Sequence, residues 1–432
     1  MISILFNFSA AASFVEDFGA SAASLGRAGM ANLIYPSASA NYYLPASLAY
    51  NTDLKLEASS FVNTYEIKPI ENIVIENSIN TESGEEKIGS VSNNFSNLIT
   101  NSVHFSLPLK KLDGTLNISI SSPFPYAGQF DSGDPYTPEY SLLKARPRRP
   151  QAFLNLAYQI SPKFSFSLGG HLGAKVDSSI FTKAAVNNEG ETTLYTYASG
   201  SGEVSPKFSP IFSIFYNGEV VKLGFSYQGE MESSLKVDLT ADEISTGIIF
   251  DSIIESVLFH DPETLKLQAS YELTKNILLH SSINYYNWSK YQTPKINIIQ
   301  LAIMTGTFNY EKLELRNTFS PKFAFTYILN SYLSLNGGLA YDQSPLESNF
   351  VGNGNTIHSD LYTISFSPEF EAKIADTWIK ASLGLSYKKL KDRTIVKSSG
   401  QENGISGRKI GAPGYNIGGN IKTISLGIEL NI

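Results

Sequence analysis

Apolar and polar side chains alternate at every second position in segment after segment of this chain. Phe164, Phe166, Leu168, Leu172, Ala174 and Val176 fall on one side, Ser165, Ser167, His171, Lys175 and Asp177 on the other. Leu265, Leu267, Ala269, Tyr271 and Leu273 likewise oppose Thr264, Lys266, Gln268, Ser270 and Glu272. Ile379, Ala381, Leu383, Leu385 and Tyr387 oppose Trp378, Lys380, Ser382, Ser386 and Lys388. Successive side chains of a strand point to opposite faces, so each segment is a strand with one dry and one wet face. Short connections at 110–114, 161–163, 217–219, 274–276, 329–331 and 375–376 alternate with long polar ones, roughly 66–97, 123–150, 178–205, 229–262, 288–318, 342–359 and 389–419. Asn217-Gly218 suits a two-residue hairpin, whose central positions need positive φ. Six short and seven long connections require fourteen strands. The pattern predicts an all-β fold, a fourteen-stranded antiparallel transmembrane β-barrel with short turns on one rim and long loops on the other.

Charge placement agrees. A Lys or Arg on a lipid-facing position near the bilayer midplane costs about 2–4 kcal/mol, and in these registers Lys175, Lys266, Glu272 and Lys380 all sit on the wet face. Tyr158, Tyr216, Tyr271 and Tyr327 precede short turns, and Tyr227, Tyr285, Tyr341 and Tyr387 end ascending strands, as two interfacial aromatic girdles require. A soluble sandwich or β-helix also alternates but does not account for the short–long order. The strands run over 51–432 without a linker, so one barrel fits the length better than several domains. No stretch approaches the roughly 18 apolar residues of a membrane helix.

The start of the chain differs. Residues 1–12 hold Ile4, Leu5, Phe6 and Phe8 followed by Ala10, Ala11 and Ala12, without a basic leader, and read as a clipped or atypical signal peptide or as an ordinary N-terminus. Residues 13–50 lose the alternation, and from 17 onward small residues dominate, punctuated by Gly19, Gly26, Gly29, Pro36 and Pro45. That composition suits a hatch packed inside a polar lumen; a periplasmic tail is the alternative.

Catalytic chemistry is not visible. There is no Gly-x-Ser-x-Gly elbow, Gly-x-Gly-x-x-Gly loop or His-Glu-x-x-His, and the five histidines are scattered. No catalytic residue, metal site or cofactor is expected. The chain has no cysteine, which excludes disulfides, and its net charge of −7 without a basic tract argues against a nucleic-acid partner. Thr240-Ala241-Asp242-Glu243 reads as a capping box before Ile244, Ile248, Ile249, Ile253, Val257 and Leu258 at near-helical spacing. It predicts an amphipathic helix in an outer loop, either a landing site for apolar ligand or a lid on the barrel. Pro123 and Pro125 flank Phe124 at the outer end of the third strand, and proline cannot donate to a ladder, so the wall kinks there or a loop begins. Arg146, Arg148 and Arg149 suit lipopolysaccharide phosphates or carboxylates, or form a solvated rim.

At four places the chain resembles the FadL-type family of outer-membrane transporters. Leu25-Gly26-Arg27-Ala28 leading to Pro45-Ala46 is similar to the family's N-terminal hatch, although Leu44 stands where the family has Asn. Asp261-Pro262-Glu263-Thr264-Leu265 through Asn287-Trp288-Ser289, Tyr341-Asp342-Gln343-Ser344-Pro345 after Gly337-Gly338, and Leu223-Gly224-Phe225-Ser226-Tyr227 resemble the other three. Ile432 ends the chain where such barrels usually close on an aromatic. The resemblance implies fourteen strands, a hatch carrying Leu25, Gly26, Arg27, Pro45 and Ala46, and sideways exit near Pro123, Phe124 and Pro125. It further implies a monomer in the bacterial outer membrane, among lipid and lipopolysaccharide, passing hydrophobic small molecules passively, long-chain fatty acids foremost. A plugged barrel that shuttles secreted proteins at the cell surface and a general porin are the rival readings. The ligand's identity, the pocket residues in the lumen and the exit route are not legible in the sequence.

Overall fold

The computed structural model describes residues 19–74, 88–92, 98–123, 129–130, 140–142, 151–183, 197–243, 248–291, 295–298, 314–352, 356–375, 377–397 and 413–432. Fourteen strands form the barrel: β1 (Lys55–Ile67), β2 (Leu98–Leu109), β3 (Gly114–Pro123), β4 (Gln151–Gln159), β5 (Phe164–Lys183), β6 (Tyr197–Asn217) and β7 (Val221–Gln228), then β8 (Glu263–Thr274), β9 (Ile277–Asn287), β10 (Thr318–Ile328), β11 (Leu333–Asp342), β12 (Leu361–Ile374), β13 (Thr377–Val396) and β14 (Gly414–Asn431). Each pairs antiparallel with its neighbour in sequence, and β1 pairs with β14 from Lys55↔Asn431 to Ile67↔Gly419, which closes the ring.

The two faces are inverted relative to a soluble protein. Leu267, Ile283, Phe323, Ile364 and Leu426 are exposed, whereas Lys266, Gln268, Ser282, Asn284, Ser365 and Ser425 are buried. A bilayer around the ring and a filled lumen inside it satisfy both sets. Tyr158, Tyr271, Tyr327, Tyr362 and Tyr387 stand on the outer surface with their rings exposed.

Two expectations fail here. The described residues of 240–258 are not helical: Met231–Glu243 and Ile248–Asp261 are strands, paired from Met231↔Asp261 to Glu243↔Ile248, with Lys295–Ile298 as a third strand. Thr240 pairs with Asp251 within that ladder. The run Ile248, Ile249, Ile253, Ile254, Val257 is β-branched, which disfavours helix and suits a pleated strand. The second concerns loop length. β5 and β6 stay paired out to Lys183↔Tyr197, and β13 and β14 to Val396↔Gly414, so the connections read at 178–205 and 389–419 are much shorter. Beyond the bilayer both strand faces meet water or loops, so the apolar–polar period that marks a strand disappears while the ladder continues.

Residues 19–50 run through the lumen. Ser21 caps the short helix α1 (Ala22–Gly26), and its backbone N–H is answered by Ser24 Oγ at 2.9 Å. Helix α2 (Ala40–Tyr43) and a 3-10 turn at Pro45–Tyr50 follow. The Ala22 N–H donates to Ser59 of β1, Ser102 of β2 donates to Ala20 O, and Asn41 donates to Ser119 of β3. Ala46 exchanges bonds with Ser165 of β5 and Ser213 of β6, Gln268 of β8 donates to Tyr43 O, and the Ala28 N–H donates to Ser365 of β12. A segment bonded to the inward faces of strands all round a closed ring lies inside it. Small residues permit this: a Cβ on Gly26 would come 2.1 Å from Ser367 Cβ, and one on Gly338 of β11 would come 2.7 Å from Ala28 N.

Candidate functional site

Within the lumen the inward positions change character with height. On β14 they read Glu429, Gly427, Ser425 and Thr423 from the short-turn rim, then Ile421, Gly419, Ile417 and Tyr415 toward the long loops. On β13 Lys388 gives way to Leu390 and, past a register shift between Leu390 and Arg393, to Ile395. Leu361 of β12 and Ile67 of β1 continue the same apolar wall, and all of these side chains are buried. Ile70, Val91 and Ile357 from the outer connections cover it. The Tyr415 hydroxyl donates to Thr356 O at 2.9 Å, which pins one cover segment.

The wall is continuous with the internal segment. Leu33, Tyr42, Tyr43, Leu44 and Leu48 belong to the same contiguous apolar cluster as Ile395 and Ile417. Beside it, Tyr286, Trp288, Tyr291, Leu315 and Leu346 form a second cluster, and half-buried Phe350 touches both. Two cations border the wall at its outer end. Arg393 donates to Leu346 O at 3.4 Å and to Glu347 O, and its guanidinium lies 5.8 Å from the Phe350 ring centre; Lys397 is 7% exposed. Apolar burial beside a few oriented polar groups suits a hydrophobic ligand with a polar end.

Below the wall, hydrogen bonds bind the internal segment to the barrel. Arg27, 3% exposed, reaches Glu369 Oε1 at 2.8 Å and Asn336 Oδ1 at 3.0 Å. Thr326 donates to Asn336, His280 joins Thr326 at 3.1 Å and Ser270 at 2.8 Å, and the Leu33 N–H closes the chain onto Ser270 at 3.4 Å. The belt thus leaves the segment at Arg27, crosses β12 to β8 and returns six residues later. A second route links Ala20 O, His104, Ser119, Asn41 and Asn155.

The residues singled out in the sequence are scattered by comparison. Leu25, Gly26, Arg27, Pro45 and Ala46 are all buried in the lumen, Leu25 to Arg27 against β11 to β13 and Ala46 against β5 and β6, and Leu44 fills the space that a Cβ on Gly224 would take, 2.0 Å from its Cδ2. Ile248, Ile249, Ile253 and Val257 lie on the outer hairpin rather than at the wall; Ile244 lies outside the described residues. Pro123 ends β3, still paired with Thr100 of β2, while the ladder to β4 stops at Ser121↔Gln151. Phe124, Pro125, Arg146, Arg148 and Arg149 lie outside the described residues. The wall itself was not anticipated.

A model of the outer membrane protein transport family (OMPP1/FadL/TodX) matches residues 3–351. Outer membrane protein P1 of Haemophilus influenzae is 22% identical over 167 residues, which span 38% of this chain and 35% of that protein. The fold is similar to that of a Pseudomonas aeruginosa FadL homologue, with a TM-score of 0.66 and 13% identity over 98% of this chain and 99% of that one. It is similar also to the Pseudomonas putida toluene transporter TodX (TM-score 0.55, 12% identity, 92% and 95% covered). The Ralstonia pickettii toluene transporter TbuX gives a TM-score of 0.53 at 12% identity, with 95% and 98% covered.

Proposed function

We propose that this chain, which belongs to the OMPP1/FadL/TodX family of outer membrane transport proteins, carries hydrophobic compounds of the long-chain fatty acid class across the membrane without an energy source. The observation that supports this cargo is the apolar inner wall of Leu361, Leu390, Ile395, Ile417 and Ile421 with Arg393 and Lys397 at its edge. A neutral aromatic hydrocarbon uses only the wall. A carboxylate on a long tail uses the wall for the tail and a cation for the head, and a guanidinium accepts a carboxylate with two parallel donors. The continuity of the wall with Leu33 and Leu44 gives an extended tail more surface than a single ring needs.

Binding of oleate, of oleyl alcohol and of toluene to the detergent-purified barrel tests the reading. Burying one large aliphatic side chain is worth about 1.5–3 kcal/mol, so Ile417→Asn is expected to weaken oleate by about tenfold or more. Arg393→Gln is expected to weaken oleate but leave oleyl alcohol unchanged. Equal loss for acid and alcohol removes the head-group assignment. Unaltered oleate binding in Ile417→Asn removes the wall, and toluene bound in preference to oleate by the unaltered protein removes the cargo class.

A further inference from the structure

A polar group of side chains at the base of the outer hairpin stands apart from the apolar wall. Glu230 immediately precedes the strand Met231–Glu243, and Glu232 stands directly across the ladder from His260. Positions 230 and 232 are two apart in extended chain, so their side chains share a face. One oxygen of each carboxylate and one nitrogen of the imidazole all lie within 4.8 Å of one another. His260 is fully buried, with Nδ1 3.0 Å from Glu232 Oε2 and Nε2 without a hydrogen-bond partner among the described residues. Neither neutral tautomer satisfies this ring. A proton on Nδ1 bonds Glu232 but leaves a buried lone pair on Nε2; a proton on Nε2 sets the Nδ1 lone pair against the carboxylate. The neighbouring acid is already engaged, since Glu263 takes Lys290 at 2.8 Å and Asn287 at 3.0 Å.

We propose that Glu230, Glu232 and His260 bind a divalent transition-metal cation of the zinc class. One imidazole and two carboxylates suit zinc, cobalt or nickel, whereas calcium and magnesium favour all-oxygen shells. Donors about 2.0–2.2 Å from a tetrahedral zinc ion lie about 3.3 Å apart, a closure that the half-buried glutamates reach by side-chain rotation. The ion takes the lone pairs of Nδ1 and of both carboxylates, water fills the remaining position, and the imidazole stays neutral with its one ring proton on Nε2, so the ion replaces the Nδ1–carboxylate contact without net loss of a proton from the ring. Bound there, it staples the hairpin to its base beside the Trp288–Tyr291 cluster: the His260 ring lies 6.0 Å from that of Trp288 and 5.5 Å from that of Tyr291.

The protein carries two tryptophans, Trp288 and Trp378, and Trp378 lies exposed at the short-turn rim, across the ladder from Lys373 and away from the outer hairpin. In a Trp378→Phe background Trp288 is therefore a local reporter. Titrating the chelator-treated, detergent-folded protein with Co2+ is expected to quench Trp288 saturably at one ion per chain. Zn2+ is expected to reverse the quenching, and millimolar Ca2+ or Mg2+ to leave it. Glu230→Gln and His260→Gln should each weaken Co2+ by about tenfold or more. Heat-modifiable migration verifies folding of each variant, and Glu230→Gln, at a half-buried position, decides the matter where His260→Gln does not fold. Absence of saturable quenching, quenching that Zn2+ does not reverse, or a folded variant with unaltered affinity overturns the site.

Discussion

Arg27→Ala is expected to loosen the internal segment while leaving the barrel closed. Arg27 is 3% exposed and its partner Glu369 has a side chain 17% exposed, so the pair sits in a region of low dielectric. Removing one member of such a pair strands the other charge and costs about 3–5 kcal/mol, far more than the pair itself contributes. The loss also opens the belt of Asn336, Thr326, His280 and Ser270 at the point where it joins the segment. The ladder bonds of β11 and β12 are main-chain bonds and do not depend on Arg27. The variant should therefore keep heat-modifiable migration yet show higher ion conductance in a planar bilayer and faster proteolysis within 19–50. Adding Glu369→Gln removes the stranded charge and should recover part of the loss, because the two changes are not additive for residues in contact. Wild-type conductance and proteolysis in Arg27→Ala would show that the segment is held by packing alone.

Leu267→Arg is the second large effect, with a different readout. Leu267 lies near the middle of β8, is 57% exposed on the bilayer side, and stands between Phe225 of β7 and Ile283 of β9. An arginine there costs about 2–4 kcal/mol at midplane depth, enough to remove most of the heat-modifiable species. The adjacent position separates the two faces. Gln268 is 3% exposed and donates to Tyr43 O at 3.2 Å, and Lys266 beside it lies 4.3 Å from the Tyr42 ring centre. A larger cation at 268 meets the internal segment rather than lipid. Gln268→Arg should keep the barrel but displace the segment, seen as raised conductance. Loss of the folded species in both variants, or in neither, would reverse the facing of β8.

The barrel was legible in the sequence because a period of two is a direct imprint of strand geometry, and the fourteen strands follow from it. The internal segment left a compositional trace in Ala22, Ala23, Gly26 and Gly29. Its partners were not legible, since Arg27 meets residues more than three hundred positions away. The helix at 240–258 was misread because Ile244, Ile248, Ile249, Ile253 and Val257 satisfy a helical spacing while their β-branching favours strand. The apolar wall had a signal that a loop assignment concealed. Reading 389–419 as a connection hid Leu390, Ile395, Tyr415 and Ile417, although they extend the inward register of Lys388 and Thr423. The metal cluster had no sequence signature, because Glu232 and His260 meet only once the hairpin forms.

The seat of α1 ties it to the closure of the ring. Ala22 bonds Ser59 on the first strand, and a Cβ on Gly384 of β13 or Gly427 of β14 would come 2.6 Å from Ala22 O or 3.0 Å from Ala22 Cβ. The helix therefore straddles the seam where the two ends of the sheet join. During synthesis its residues are made long before β14, so half of their docking site does not yet exist. Closing a loop of that length is an entropic step that local contacts do not assist. Pairing β14 with β1 therefore completes the ring and the seat of the helix together. A nascent chain halted before β14 thus lacks the last stave and the surface against which its earliest described helix comes to rest.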